Sequence, residues 1–414
     1  MDDTRPTTSR RNFLGLAGAA GATLATAGVV AGCSDDGGSG ESSSAGDGAS
    51  GVRYEFRSDR QAGVTAPLAA AGIVAGLDLR VDDKAELREL FADLGDSIEQ
   101  VMSGEPFEPR EGGFPPFDTG ILGPDPGATG TTVTVGVGNS LFDDRFGLGS
   151  LKPVELQRMP KFGNDFLVRE ERAHGDLSIT VSADTQDAAV HGFRQVLRAT
   201  RGRLVPKWMR QGYNDIFPDV GPGEAPVRNL MGFKDGTSNP SGDDDSTMEE
   251  LVWVQPEDEQ PDWAVGGTYQ AIRVIRMQVE FWDRTRLNEQ EAIFGRSRDT
   301  GAPLGMEDET DTPVFTDLES HIARANPRTP GSERNIILRR GFNYSDGLDG
   351  NDQLDQGLLF ISYQRSLEDG FITVQRRLDG EVLEEYIRPV GGGFFYVLPG
   401  PGTGDAKLGE RLLA

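Results

Sequence analysis

Two stretches of this chain spell a similar order of elements, and that order limits the fold more than any single motif does. Residues 70–79 are apolar and strand-like, and residues 84–102 place Leu87, Leu90, Phe91, Leu94 and Ile98 at helical spacing. Asp82 or Asp83 stands where a helix N-cap belongs. Residues 104–130 are dense in glycine and proline and read as loop. Residues 131–137 alternate Thr and Val, as a half-buried strand does, and residues 176–181 read as another strand. Residues 185–200 form an amphipathic helix with Ala189, Val190, Phe193, Val196 and Leu197 inward. The second half repeats this order loosely: a β-rich run over 267–279, a helix around 284–294, and β-prone runs over 357–363 and 391–398 with 371–377 between them. The expectation is an α+β protein of two halves, each an antiparallel sheet with helices packed on it. Strand–helix alternation is not sustained, and no G-x-G-x-x-G follows a strand, so a doubly wound nucleotide-binding sheet fits poorly.

The first residues read as targeting sequence. Ser9-Arg10-Arg11-Asn12-Phe13-Leu14 sets adjacent arginines before a short run rich in Ala and Gly, the pattern of a twin-arginine export signal. Val30-Ala31-Gly32-Cys33 closes that run like the lipobox of bacterial lipoproteins, which makes Cys33 a lipidation candidate. Residues 1–32 are therefore expected to be a signal peptide, and residues 33–55 a flexible Gly/Ser/Asp tether. Localisation would be extracytoplasmic, with the membrane reached only through a lipid on Cys33. The net charge of −26 argues against nucleic-acid binding and against a surface for anionic lipid. Cys33 is the sole cysteine and the chain has three histidines, which argues against a Cys/His zinc site. No Gly-x-Ser-x-Gly elbow is present.

Three segments carry the chemistry that remains. Gly232-Phe233-Lys234-Asp235-Gly236-Thr237-Ser238-Asn239-Pro240 cannot be regular helix, because its glycines and its Asn-Pro break one. Alone it is a turn, but its apolar flank of Leu230, Met231 and Phe233 sets Asp235 at the edge of buried structure. His321 lies in Leu318-Glu319-Ser320-His321-Ile322-Ala323-Arg324-Ala325-Asn326-Pro327-Arg328, where arginines follow a histidine. Such a segment suits either a surface histidine or an iron ligand beside an anionic cofactor. Ile336-Ile337-Leu338-Arg339-Arg340-Gly341 ends an apolar run on two arginines, of which strand alternation turns one inward. His174 and His191 read as structural or surface histidines.

Taken together, the Gly-x-x-Asp-Gly core of the first segment, the His-x-x-Arg-x-Asn-Pro-Arg segment and Leu-Arg-Arg-Gly, in that order, resemble the dye-decolourising (DyP-type) heme peroxidases. So do Gln61-Ala62-Gly63-Val64 and Gly357-Leu358-Leu359-Phe360, and the twin-arginine signal matches the exported subgroup. Arg60 departs from the family, where histidine often precedes the Gln-Ala-Gly. The resemblance implies two ferredoxin-like halves, over 56–250 and 251–414, with one heme b per chain in the second. It implies His321 as proximal ligand to the heme iron and Asp235 and Arg339 on the distal face. Arg324 would meet a propionate, Leu358 and Phe360 would form an apolar distal wall, and Glu385 would hold the proximal histidine. The activity implied is reduction of hydrogen peroxide coupled to oxidation of a small organic, dye-like or phenolic reductant. A heme-containing iron-uptake component and a non-catalytic heme-binding lipoprotein are the alternatives. Implied partners are hydrogen peroxide, the reductant, the twin-arginine translocase during export and, on readings left open, a second copy of the chain and an iron-permease system. Tyr344, Trp263 and Trp282 are candidates for relaying electrons to the surface.

Overall fold

The structure, a computed structural model, describes residues 51–414 except 219, 222, 316, 317 and 405. The twin-arginine segment, Cys33 and most of the tether lie outside the described residues.

The first half runs β1 (Ala71–Leu79), α1 (Lys84–Ser103), β2 (Thr132–Gly138), β3 (Leu177–Ala183), α2 (Gln186–Ala199) and β4 (Leu204–Tyr213). Asp83 is the N-cap of α1, and its carboxylate accepts from the backbone N–H of Ala85 and Glu86. Thr185 caps α2 in the same way through Ala188. The strands pair antiparallel in the order β2-β3-β1-β4, which is ferredoxin-like. β4 escaped the sequence reading because its apolar residues do not alternate cleanly with polar ones and it contains Pro206, beside an irregularity in its pairing with β1.

Between the halves come a small hairpin of β5 (Val227–Arg228) and β6 (Lys234–Asp235), then α3 (Asp245–Leu251). The second half runs β7 (Thr268–Met277), α4 (Val279–Trp282), α5 (Leu287–Phe294), α6 (His321–Ala325), β8 (Leu338–Arg339), β9 (Phe342–Leu348), β10 (Leu354–Gln364), α7 (Thr373–Leu378) and β11 (Ile387–Val397). Its strand order, β9-β10-β7-β11, repeats the ferredoxin-like pattern. The helix expected around 284–294 is α5, with the short α4 added before it and α6 far along the connection.

The two sheets join at both edges, β11 to β2 and β4 to β9, so the strands close on themselves. Gln61 fastens the first seam. Its amide donates to the carbonyls of Val135 and Leu398 and accepts from the backbone N–H of Val135. The neighbouring Gly63 has no room for a side chain, because a Cβ there would lie 2.2 Å from Thr134 Oγ1. The Gln-Ala-Gly sequence is thus a structural seam. Arg60, where the chain departs from the family, stacks on Trp253 and pairs with Glu249.

Strand alternation sorts the apolar residues into separate cores. Val74 and Trp208 from the first half pack with Ile272, Val274, Leu359, Ile361 and Tyr363 from the second, between the sheets. Ile73, Ala75, Leu77, Val135 and Ile179 face the other way, under Leu87, Phe91, Leu94 and Ile98 of α1 and Phe193 and Val196 of α2. In the second half the corresponding outward positions, Arg273, Ile275 and Met277 on β7 and Leu358 and Phe360 on β10, border a cavity instead.

Candidate active site

A cavity of about 300 Å³ lies between the outward face of the second sheet and the short helices that follow it. Its walls are mostly apolar: Phe233, Ile275, Met277, Phe294, Ile337, Leu358, Phe360 and Leu383 contribute. Asp235, His321 and Arg339 all line it. This convergence of an apolar chamber with a few polar groups is what a cofactor site looks like.

His321 is the first residue of α6, and 29% of its side chain is open. Its Nδ1–H donates to Glu381 Oε2 at 2.8 Å, which leaves Nε2 as the nitrogen available to a metal. Burial acts against the charged imidazole, but the Glu381 carboxylate, by its charge and its hydrogen bond, outweighs it and raises the histidine pKa. A carboxylate on Nδ1 orients the ring and makes it a stronger electron donor. Glu385, assigned this role from sequence, is not the partner. It is exposed at the end of the single turn Val382–Glu385, one helical turn beyond Glu381, which is buried at that turn's N-cap. Four acidic side chains crowd residues 379–385, and nothing in their spacing distinguishes the inward one.

The Asp235 loop is built by glycine and asparagine. Gly232 and Gly236 adopt φ of 87° and 110°, and Ser238 sits at 57°, so the backbone turns in the left-handed region on both sides of the aspartate. Arg339 Nη1 donates to Asp235 Oδ1 at 3.3 Å, and its Nη2 donates to the Thr237 carbonyl at 3.0 Å. Asn239 completes the frame. Its Oδ1 accepts from the Arg339 N–H at 2.8 Å, and its Nδ2 donates to the Arg339 carbonyl at 3.0 Å. The loop and β8 are thereby locked in register, and that gives the Asn of the Asn-Pro pair a task beyond ending a helix. Arg340 points away, with Nη2 donating to the Pro67 carbonyl, as alternation along β8 demands.

Leu358 and Phe360 line the cavity. Arg324, expected to face an anionic cofactor edge, does not: its Nε donates to the Leu318 carbonyl and its Nη1 to the Asp379 carbonyl, and it is not among the cavity-lining residues. It staples α6 to the turn before Glu381. The cations on the cavity wall are instead Lys234, Arg273, Arg296, Arg328 and Arg339. Arg328 lies past the Asn-Pro break and holds φ 55°, and Arg273 is wholly buried against Asp165 with its Nε lacking an acceptor among the described residues. Arg328 belongs to the arginine-bearing segment after His321 that the sequence singled out, whereas Arg273 could not be picked, because nothing local in β7 separates it from Arg276. His174 and His191 are outside the cavity, as expected; His191 Nδ1 meets Thr119 Oγ1.

An aromatic chain leads away from the histidine. Phe294 meets His321 edge to face at 6.0 Å, Trp282 meets Phe294 at 5.8 Å, Tyr386 meets Trp282 at 4.9 Å, and Phe281 stacks on Tyr386 at 4.9 Å. Phe281 is 48% exposed, so the chain reaches solvent. Trp263 and Tyr344 belong to other clusters, near Tyr396 and near Arg210.

The residues present fit a heme: a carboxylate-oriented imidazole with Nε2 left for a metal, apolar walls, and cations on the wall for anionic edge groups. Comparison with known proteins decides the matter. The family description "Dyp-type peroxidase, N-terminal" matches residues 61–214, and "Dyp-type peroxidase, C-terminal" matches residues 226–401. The chain belongs to the DyP-type peroxidases. It is 44% identical over 373 residues to a protein of Escherichia coli O157:H7 named Deferrochelatase, covering 87% of each. It resembles ferric DtpA from Streptomyces lividans with a TM-score of 0.77 at 32% identity, covering 87% of this chain and 97% of that one. The DyP-type peroxidase from Cellulomonas bogoriensis gives 0.76 at 32% identity, over 87% and 98%. The protein is therefore a heme peroxidase whose cofactor is heme b. His321 would hold the iron through Nε2.

Proposed function

We propose that this DyP-type peroxidase works outside the cytoplasm and oxidises aromatic reductants too large to enter its cavity. The aromatic chain from His321 to Phe281 carries this reading, because it joins the cofactor chamber to the surface through oxidisable side chains, Trp282 and Tyr386. When bound, the heme supplies the two-electron reduction of hydrogen peroxide and stores the oxidising equivalents. Asp235 takes the proton from one peroxide oxygen and returns it to the departing one. Arg339 holds Asp235 Oδ1 and presents its guanidinium to the charge that develops as the oxygens separate. Glu381 keeps the His321 ring oriented throughout. The terminal motifs support export by the twin-arginine route and a lipid anchor at Cys33.

A second reading, release of iron from heme, has its own support: the 44%-identical relative is named Deferrochelatase. One experiment separates the two. Purified holoprotein receives either peroxide with a bulky anthraquinone dye, or hemin with a reductant and a ferrous chelator. Peroxide-dependent bleaching that drops at least about tenfold in Trp282→Phe, with no chelated iron, supports the relay. Chelated iron released with recovery of metal-free porphyrin, and bleaching unaffected by Trp282→Phe, would favour iron release.

A further inference from the structure

Glu309 lies outside the cavity and has no part in the chemistry described so far, yet it is one of the few acidic side chains that is fully buried. It sits on the connection between α5 and α6, with only 2% of its side chain exposed. Its Oε1 accepts from the Ala225 N–H at 2.7 Å and from Thr237 Oγ1 at 2.6 Å, and its Oε2 pairs with the Lys234 ammonium. Its own carbonyl accepts from Arg296 Nη1 at 2.9 Å, and the same guanidinium group donates to the Gly301 carbonyl. The fit is tight: a Cβ on Gly301 would lie 2.7 Å from Lys234 Cδ and 3.2 Å from Glu309 Cδ.

These contacts fall on both sides of Asp235. Lys234 precedes it, Thr237 follows it by two residues, and Ala225 stands just ahead of the strand that pairs with it, where Val227 opposes Asp235. Asp235 and its flanks occupy a two-residue strand and a left-handed turn, which have little intrinsic stiffness. Arg339 and Asn239 hold the loop from the cavity side. Glu309 holds it from the protein side. A buried carboxylate engaged at three points resists displacement, because moving the loop would strand the charge without partners.

We infer that Glu309 is a positioning residue that sets where the Asp235 carboxylate stands in the cavity, and so governs the peroxide step and not the reductant step. The inference rests on the proton-transfer role proposed for Asp235. The test uses full-length holoprotein and stopped-flow measurement of the second-order reaction with peroxide. Glu309→Ala is expected to slow that reaction about 10- to 100-fold, while the rate of dye oxidation at saturating peroxide changes less than about twofold. Glu309→Gln, which keeps the acceptor for Ala225 and Thr237 and loses only the ion pair, should recover most of the rate. In an Asp235→Ala background Glu309→Ala should cost nothing further, since it acts through a carboxylate already removed. Amide hydrogen exchange over 225–238 should rise in Glu309→Ala and stay unchanged in α1 and α2.

The failures are distinguishable. Wild-type peroxide reactivity in Asp235→Ala would defeat the role of Asp235 itself. A slow Asp235→Ala beside a wild-type Glu309→Ala, or a further loss in the double variant, would overturn the positioning role. Should Glu309→Ala not retain heme, Thr237→Val removes one of the three contacts and decides the point. A few-fold slower peroxide reaction with faster exchange over 234–238 supports the inference, and no change in either contradicts it.

Discussion

The two halves share a strand order and differ in what lies on their sheets. In the first, α1 has 20 residues and α2 has 14, and together they cover the outward face completely, so Ile73, Leu77, Val135 and Ile179 are sealed beneath Phe91, Leu94 and Phe193. In the second, the covering helices have 8, 5 and 6 residues, and the connection from α5 to β8 is long and irregular. The outward face there is left facing a chamber, lined by Ile275, Met277, Leu358 and Phe360. The same architecture thus yields a packed core or a cofactor site, depending on whether the cover is continuous. Short segments also free the positions a site needs: His321 begins a helix, Glu381 caps a turn, and Asp235 ends a two-residue strand.

The comparison can be broken at several points. The largest effect is expected from His321→Ala. If the second half is organised to hold a cofactor, this protein should lose its heme on gel filtration and its peroxidase activity should fall to background. Heme-free His321→Ala should nevertheless unfold at a temperature near that of the heme-free parent, because the first-half core is untouched. Retained heme with an unchanged Soret band would show that the ligand lies elsewhere. Glu381→Gln comes next. It keeps the hydrogen-bonding shape but removes the charge that strengthens the imidazole, and peroxide reactivity should fall about 10- to 100-fold. A variant in which Glu385→Gln has that effect and Glu381→Gln does not would reverse the assignment made here.

A matched pair of truncations sharpens the contrast between packed and open faces. Phe91→Ala, in the sealed face, should destabilise the heme-free protein by about 3–5 kcal/mol in urea unfolding. Leu358→Ala, on the open face, should cost about 1 kcal/mol or less, since its side chain already borders empty space. Equal losses would mean that the cavity is collapsed in solution. The smallest effect concerns His174, in the first half. Burial, helped by Arg158, lowers its pKa from 6.5 to about 4. The unfolded chain therefore binds the extra proton first, and the stability that this histidine supports is complete above about pH 6.5 and lost as pH falls toward 4. His174→Asn, which tolerates the left-handed φ of 61°, should flatten that pH dependence by on the order of 1–2 kcal/mol. An unchanged slope would assign the acid sensitivity to other groups.

Much of this was legible in the sequence, and the gaps have physical causes. The α+β order, the cap of α1 to within one residue, and the segments bearing Asp235, His321 and Arg339 could all be read, because periodicity and turn residues are local signals. What could not be read is long-range. β4 went unassigned because its strand character comes from pairing with β1 and not from a local alternation. Glu381 could not be told from Glu385, and Arg324 looked like the cofactor-facing arginine, because a break of one turn in the backbone decides which side chain points inward. Glu309 gave no signal at all. Its partners Ala225, Lys234 and Thr237 are some 70–85 positions away, and only the fold brings them to it.

The central claim is that the second half holds a heme through His321, oriented by Glu381 and opposed by Asp235 and Arg339. The most direct test is resonance Raman of the ferrous holoprotein in the iron–histidine stretching region, comparing wild type with Glu381→Gln. A stretch present in wild type, absent in His321→Ala and shifted to lower frequency in Glu381→Gln is the predicted result. An iron–histidine stretch that survives His321→Ala, or one that does not respond when the Glu381 charge is removed, would contradict it.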